Sequence, residues 1–167
     1  MNPMSSFKEG IEDWNLYVAD RDRAEIHRHK LFADHLRHLP EIIREGLNNP
    51  NQRLYALEIA EQLPIELRKG LLPILLAIAG HVSAHILRAR ELILAFPHEW
   101  LLKNVEGAAV PLLESGDEEE YRRILELYLR VDGSLALGLA KRAASHLDAE
   151  VRAVGKEFLD QLKSVDT

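Results

Sequence analysis

The sequence contains no cysteine. That excludes a disulfide framework, a thiolate zinc site, an iron–sulfur cluster and a cysteine nucleophile. Positive charge is not in excess either: the formal net charge is -6, so nothing pulls the chain generally toward phosphate backbones or anionic lipid, and nucleic acid is disfavoured as a partner. The longest apolar stretch, Gly70 to Gly80, lies between Lys69 and His81. It falls well short of the roughly 20 residues that cross a bilayer, so it reads as a buried core helix and no membrane partner is expected. The opening MNPMSSFKEGIEDWN meets charge and a tryptophan before any signal-like apolar run, which gives a cytoplasmic expectation. Glycine-rich phosphate loops and nucleophile elbows are missing as well: GxGxxG, GxxxxGK followed by Ser or Thr, and GxSxG do not occur.

What is present is a balance typical of globular chains, with 47% hydrophobic and 29% charged residues over 167 positions. A chain of that length can bury roughly 70% of its unfolded surface in one core or one continuous stack. Apolar residues recur at spacings of three and four nearly throughout, and no segment alternates long enough for a strand. The class is all-α. Phe7, Ile11, Trp14 and Val18 form one stripe, so Ser5 or Ser6 is expected to cap a first helix ending near Asp20. A second helical region is expected from about Arg21 to Leu47, opening with the charged, His-rich RAEIHRHK.

Later segments overlay on one another. RLYALEIAEQL (Arg53 to Leu63) and RAVGKEFLDQL (Arg152 to Leu162) share Arg at the first place, Glu at the sixth and Gln-Leu at the end. Ala56, Ala89, Leu125 and Gly155 correspond, at intervals of 33, 36 and 30 residues. Three places on stand Ile59, Leu92, Tyr128 and Phe158, and four places on Ala60, Ile93, Leu129 and Leu159. A buried stripe therefore recurs four times. Asn49 (before Pro50), Ser83, Asp117 and Asp148 stand where these helices would be capped, with Val82 breaking the pattern. The preceding helices carry an early proline at Pro40, Pro73 and Pro111, while the fourth unit has Leu139 there, as terminal repeats often depart from pattern.

A helix pair with an early proline in its first helix and a capped, arginine-bearing second helix resembles the HEAT-repeat family. DAEVRAVGKEFLDQL, Asp148 to Leu162, is most similar to the bacterial HEAT-like form, and the resemblance covers about Phe32 to Leu162. A tetratricopeptide array is the runner-up, favoured by Leu63-Pro64 and Phe96-Pro97 but lacking that family's Trp, Leu-Gly and Tyr places. The resemblance implies a single domain: a right-handed α-α superhelix, a HEAT-like solenoid of about four helix pairs over residues 32–167, with residues 1–31 as an N-terminal helical cap. Its curvature would give a concave face lined by the second helices.

Candidate chemistry is sparse. His81 and His85 stand at i and i+4, where two imidazoles could share a metal, but no HExxH pattern or third ligand accompanies them. His27, His29, His35 and His38 read as surface histidines. Deoxyhypusine hydroxylase, an enzyme of HEAT architecture, holds a diiron centre with several His-Glu dipeptides; here only His98-Glu99 occurs. The acidic run Asp117 to Glu120 reads as a solvated helix start. No catalytic residue, metal or cofactor is expected.

Arg53, Arg122 and Arg152 occupy equivalent places and would form a positive ladder if they faced the groove. Glu126 and Lys156 would extend it, although pairing of each arginine with a neighbouring turn or repeat is the structural reading. Trp14, Tyr17, Trp100 and Tyr121 are aromatic candidates for contact hot spots. The expectation is a non-enzymatic scaffold that binds another protein or peptide on its concave helical face, with apolar ends that would also let two copies pair as a homodimer. The alternative is a tetrapyrrole-handling accessory protein similar to the phycobilin lyases, in which groove arginines would meet the propionates.

Overall fold

The computed structural model describes residues 3–81 and 83–165, and every regular element among them is helical. Val82 and the side chain of Phe7, both singled out in the sequence, lie outside the described residues. The chain divides into two compact units, Met1–Ile42 and Ile43–Thr167.

The first unit is dominated by α1 (Pro3–Asp34). It runs through the expected break near Asp20, and Ser5 and Ser6 lie inside it rather than at its start. The reason is local. The stretch after Asp20 is built of good helix formers, and one-turn ion pairs bridge it: Arg23 with Asp20 at 3.3 Å, and Arg28 and His29 with Glu25. Hydrogen bonding to Arg28 holds the Glu25 carboxyl below its usual range. The helix stops before the turn at His35–His38, after which α2 (Leu39–Asn48) opens with Pro40 at its second position. Ile11, Trp14 and Val18 are exposed.

The second unit holds the rest of α2, then α3 (Arg53–Gln62), the short α4 (Ile65–Arg68) running into a 3-10 turn, and α5 (Leu72–Gly80). It continues with α6 (Ile86–Leu94), α7 (His98–Glu114), α8 (Glu118–Val131), α9 (Gly133–Ala144) and α10 (Ala149–Val165). The apolar run expected to be a core helix is α5, whose Leu72, Leu75, Leu76, Ile78 and Ala79 are all buried. It has to be, because α6, α7 and α8 all pack against it. Beyond α5, α6 packs on α3, α7 and α8, α7 on α8, and α8 on both α9 and α10, which also pack on each other.

Burial follows the repeat with instructive exceptions. Ala56, Ala89, Leu125 and Gly155 are buried, as are Leu92, Tyr128 and Phe158 three places on. Four places on, Ala60 and Ile93 are fully buried, but Leu129 is 41% exposed and Leu159 only half-buried. Helix boundaries also depart from the repeat. Pro111 is not early: it sits deep inside the long α7, where its ring opposes the carbonyl one turn back. Asn49 caps a turn, its Oδ1 accepting from Asn51 N at 3.0 Å, and α3 starts later, after Gln52.

The closest approach in the unit is between α9 and α10. A Cβ built on Gly155 would stand 2.2 Å from Ala144 N and 2.6 Å from Ala143 C, so only glycine allows these two backbones to meet. At Gly80 the nearest atom to such a Cβ is Leu112 Cδ2 at 2.8 Å, the far end of a side chain that can rotate away. Gly155→Ala is therefore expected to destabilise the protein by about 3 kcal/mol or more, because backbone must move. Gly80→Ala should stay within about 1 kcal/mol of wild type, the gain in helix propensity offsetting the shift of Leu112. Urea unfolding of both variants measures the difference; equal losses would contradict this packing.

Candidate functional site

Each of the three arginines expected to form a ladder is engaged by a partner. Arg53 donates from Nε to Leu47 O at 2.9 Å, closing the end of α2. Arg152 donates from Nη1 to His146 O at 2.7 Å and to Leu147 O, both in the connection between α9 and α10. The Arg53 bond satisfies a carbonyl that a helix C-terminus leaves without an intrahelical partner. Arg122 instead reaches across to α10, where it grips Glu157 with two bonds of 2.8 and 2.9 Å. That bond holds the Glu157 carboxyl below its usual range.

Further ion pairs of the same kind join the other second helices. Arg88 of α6 bridges to Glu58 at 3.4 Å and Glu61 at 3.1 Å, both on α3. Arg90, buried on α6, donates from Nη2 to Glu126 of α8 at 2.8 Å and to Arg123 O at 2.9 Å. With Arg122–Glu157, α3, α6, α8 and α10 are fastened in series by contacts about one repeat apart in sequence. Glu126, a predicted contact residue, is thus committed to Arg90, whereas Lys156 is exposed and makes no ion pair among the described residues.

Beside the first of these bridges stand two apolar side chains that the repeat did not single out. Tyr55 is 65% exposed and Leu87 69% exposed. Tyr55 lies one turn before Glu58 on α3, and Leu87 directly precedes Arg88 on α6. Tyr55 stands one residue before the buried Ala56 and Leu87 two before the buried Ala89, and that offset was the available signal: large apolar groups off the core face of an amphipathic helix.

Trp14 and Tyr17 are exposed on α1, with ring centroids 5.7 Å apart. Trp100 packs on Phe96 at 4.9 Å with Lys69 over its ring, so it braces α7. Tyr121 is buried and donates its hydroxyl to Leu113 O at 3.1 Å; burial pushes its pKa up. Tyr128 is fully buried beneath α7, its hydroxyl directed to Val105 O, and burial pushes its pKa up as well.

The histidine pair does not meet one-turn helical geometry. His81 follows the end of α5 in extended backbone, and α6 begins only after His85, so both belong to the connection between helices. His81 Nδ1 lies 3.0 Å from Glu120, and Ser83 Oγ accepts from His85 N at 3.3 Å. Among the described residues no group of three or more His, Asp or Glu side chains is placed to hold a metal. His98 and Glu99 sit in the first turn of α7.

Asp117 and Glu120 form a reciprocal capping box: Asp117 Oδ1 accepts from Glu119 N and Glu120 N, and Glu120 Oε2 accepts from Asp117 N at 2.8 Å. Asp148 caps α10 through Glu150 N and Val151 N. Asp132, which the sequence reading passed over, caps α9 through Ser134 N and Leu135 N. An open hollow of about 530 Å³ between α7, α8 and α9 is lined by Glu106, Tyr121, Arg142 and His146 among others. Three of its polar side chains are engaged. Arg142 pairs with Glu106 at 3.1 Å, and His146 Nδ1 accepts from Asp148 N at 3.1 Å.

Among the described residues no helix is long and apolar enough to cross a membrane. No family model, no curated protein and no solved structure matches the chain.

The caps carry a pH dependence. Backbone hydrogen bonds from Val151 and Glu150 hold the Asp148 carboxyl below its usual range, and those from Ser134 and Leu135 do the same for Asp132. A carboxylate whose folded pKa is depressed contributes stability above its unfolded pKa and loses it as pH falls through the folded value. The melting temperature should therefore fall as pH drops from 5 toward 2 (roughly the range over which such carboxylates protonate). Asp148→Ala with Asp132→Ala should lower it at neutral pH and flatten the acid decline. An acid profile unchanged by the double substitution would contradict that assignment.

Proposed function

We propose that this chain is a non-enzymatic binding module, a HEAT-like solenoid whose second helices together present a docking face for another protein or peptide. The observation that carries this reading is the series of ion pairs from α3 to α10, which makes one continuous surface out of four helices. Neighbour-to-neighbour packing is the pattern expected of a repeat array, and such arrays use extended faces of this kind for recognition. On that face Tyr55 and Leu87 supply exposed apolar anchors, and Lys156 supplies an uncommitted charge. Aromatic and apolar anchors inside a charged surround are what carry energy at protein interfaces.

The tetrapyrrole alternative depended on Arg53, Arg122 and Arg152 meeting propionates. Arg53 closes the end of α2, Arg152 is bonded to carbonyls of the connection between α9 and α10, and Arg122 is held by Glu157. Protein docking needs none of them to be released.

The test is retention of a protein from native-host lysate on tagged wild type, followed by an affinity measurement with that protein. Tyr55→Ala and Leu87→Ala should each weaken binding by about 10- to 30-fold, as at interface anchors. Both positions are exposed, so helicity and melting temperature should not change. Undiminished binding by both variants, or a coloured eluate with no protein in it, would overturn the reading.

A further inference from the structure

The C-terminal end of the second unit carries an open groove of about 820 Å³ between α8, α9 and α10. Its floor is Leu129, Leu137, Leu159 and Leu162, and the charged residues lining it are Lys141 and Lys163. Leu129 and Leu159 are the repeat positions whose equivalents, Ala60 and Ile93, are fully buried. The stripe that earlier units cover thus comes to the surface here, with Leu129 at 41% and Leu137 at 38% exposure.

A second uncovered apolar surface lies on α1. Ile11, Trp14 and Val18 fall at i, i+3 and i+7 with Tyr17 beside them, the anchor spacing of a helix that lies in a groove. From Ile11 to Asp22 the helix carries Glu12, Asp13, Asp20 and Asp22 against Arg21 alone. On a helical projection Asp13 and Asp22 border the apolar stripe, Arg21 falls within it, and Glu12 and Asp20 lie further round.

We propose that α1 of one copy docks in the C-terminal groove of a second copy, giving a head-to-tail assembly. Trp14 and its neighbours cover the four leucines, while the flanking carboxylates meet Lys141 and Lys163. Lys163 also pairs with Asp160 at 3.0 Å in a highly exposed bridge. Charge of opposite sign on the two surfaces favours this pairing over α1 against α1, in which the same carboxylate-rich stripes would meet. Such a contact is heterologous: each copy offers one helix and one groove.

Complementation tests this on the full chain. Wild type should gain mass with concentration in sedimentation velocity. Trp14→Asp spoils only the helix and Leu137→Asp only the groove, so each alone should be monomeric. Their equimolar mixture should form a discrete heterodimer, one intact helix meeting one intact groove. Lys141→Glu, at an exposed position, replaces Leu137→Asp should that variant lose helicity.

A wild type that stays monomeric throughout, whether because α1 folds back on its own chain or because the groove awaits a foreign protein, would overturn the proposal. So would Leu137→Asp and Lys141→Glu associating like wild type, the signature of α1 pairing with α1. A mixture that stays monomeric would do the same.

Discussion

In the stretch from Ile43 onward α5 and α8 have their apolar surfaces covered from more than one side. The α5 helix is apolar nearly all round, and α6, α7 and α8 each cover part of it. Leu112 of α7 and Ile124 of α8 both come within 4 Å of where a Gly80 side chain would begin. Tyr128 is sealed beneath α7. Burial of this kind supplies most of the folding free energy, at roughly 25 cal/mol per Å² of apolar surface. Because these surfaces are shared, the helices also fix one another's spacing. Glycine is required where that spacing becomes smallest, at Gly155 against the Ala140–Ala144 turn.

Polar groups follow from that packing rather than direct it. Once neighbouring second helices are set side by side by their apolar faces, arginines on one reach carboxylates on the next, and arginines near a helix start reach carbonyls at or just past the end of the preceding helix. Exposed pairs of this type contribute little individually. Arg90 differs, because it is buried and bonds both a carboxylate and a backbone carbonyl. Losing one partner of such a group costs more than the pair itself contributes.

The class, the core helix at Gly70–Gly80 and most of the repeated stripe were legible in the sequence, since a 3.6-residue period survives in any helix that buries one face. The caps at Asp117 and Asp148 were legible too, because a short acid before an apolar-periodic run has few other uses. The missed features depend on tertiary or competing local terms. The continuity of α1 past Asp20 rests on one-turn ion pairs that oppose a polar stretch's tendency to break. Pro111 inside α7 shows surrounding packing overriding a breaker. The arginine ladder was legible as a set of positions but not as a set of partners, because Leu47 O, His146 O and Glu157 are chosen by how the helices sit. Tyr55 and Leu87 were not legible from the repeat, because a pattern of buried positions carries no information about the exposed ones beside them.

Native-state hydrogen exchange on the full chain most directly tests whether neighbouring helices, and not isolated pairs, hold this protein together. Amides in α5 and α8, the helices with the most partners, should exchange slowest and only through global unfolding. Protection should fall toward α3 on one side and the last turns of α10 on the other. Uniform protection along the chain, or amides of α3 exchanging as slowly as those of α5, would contradict the account.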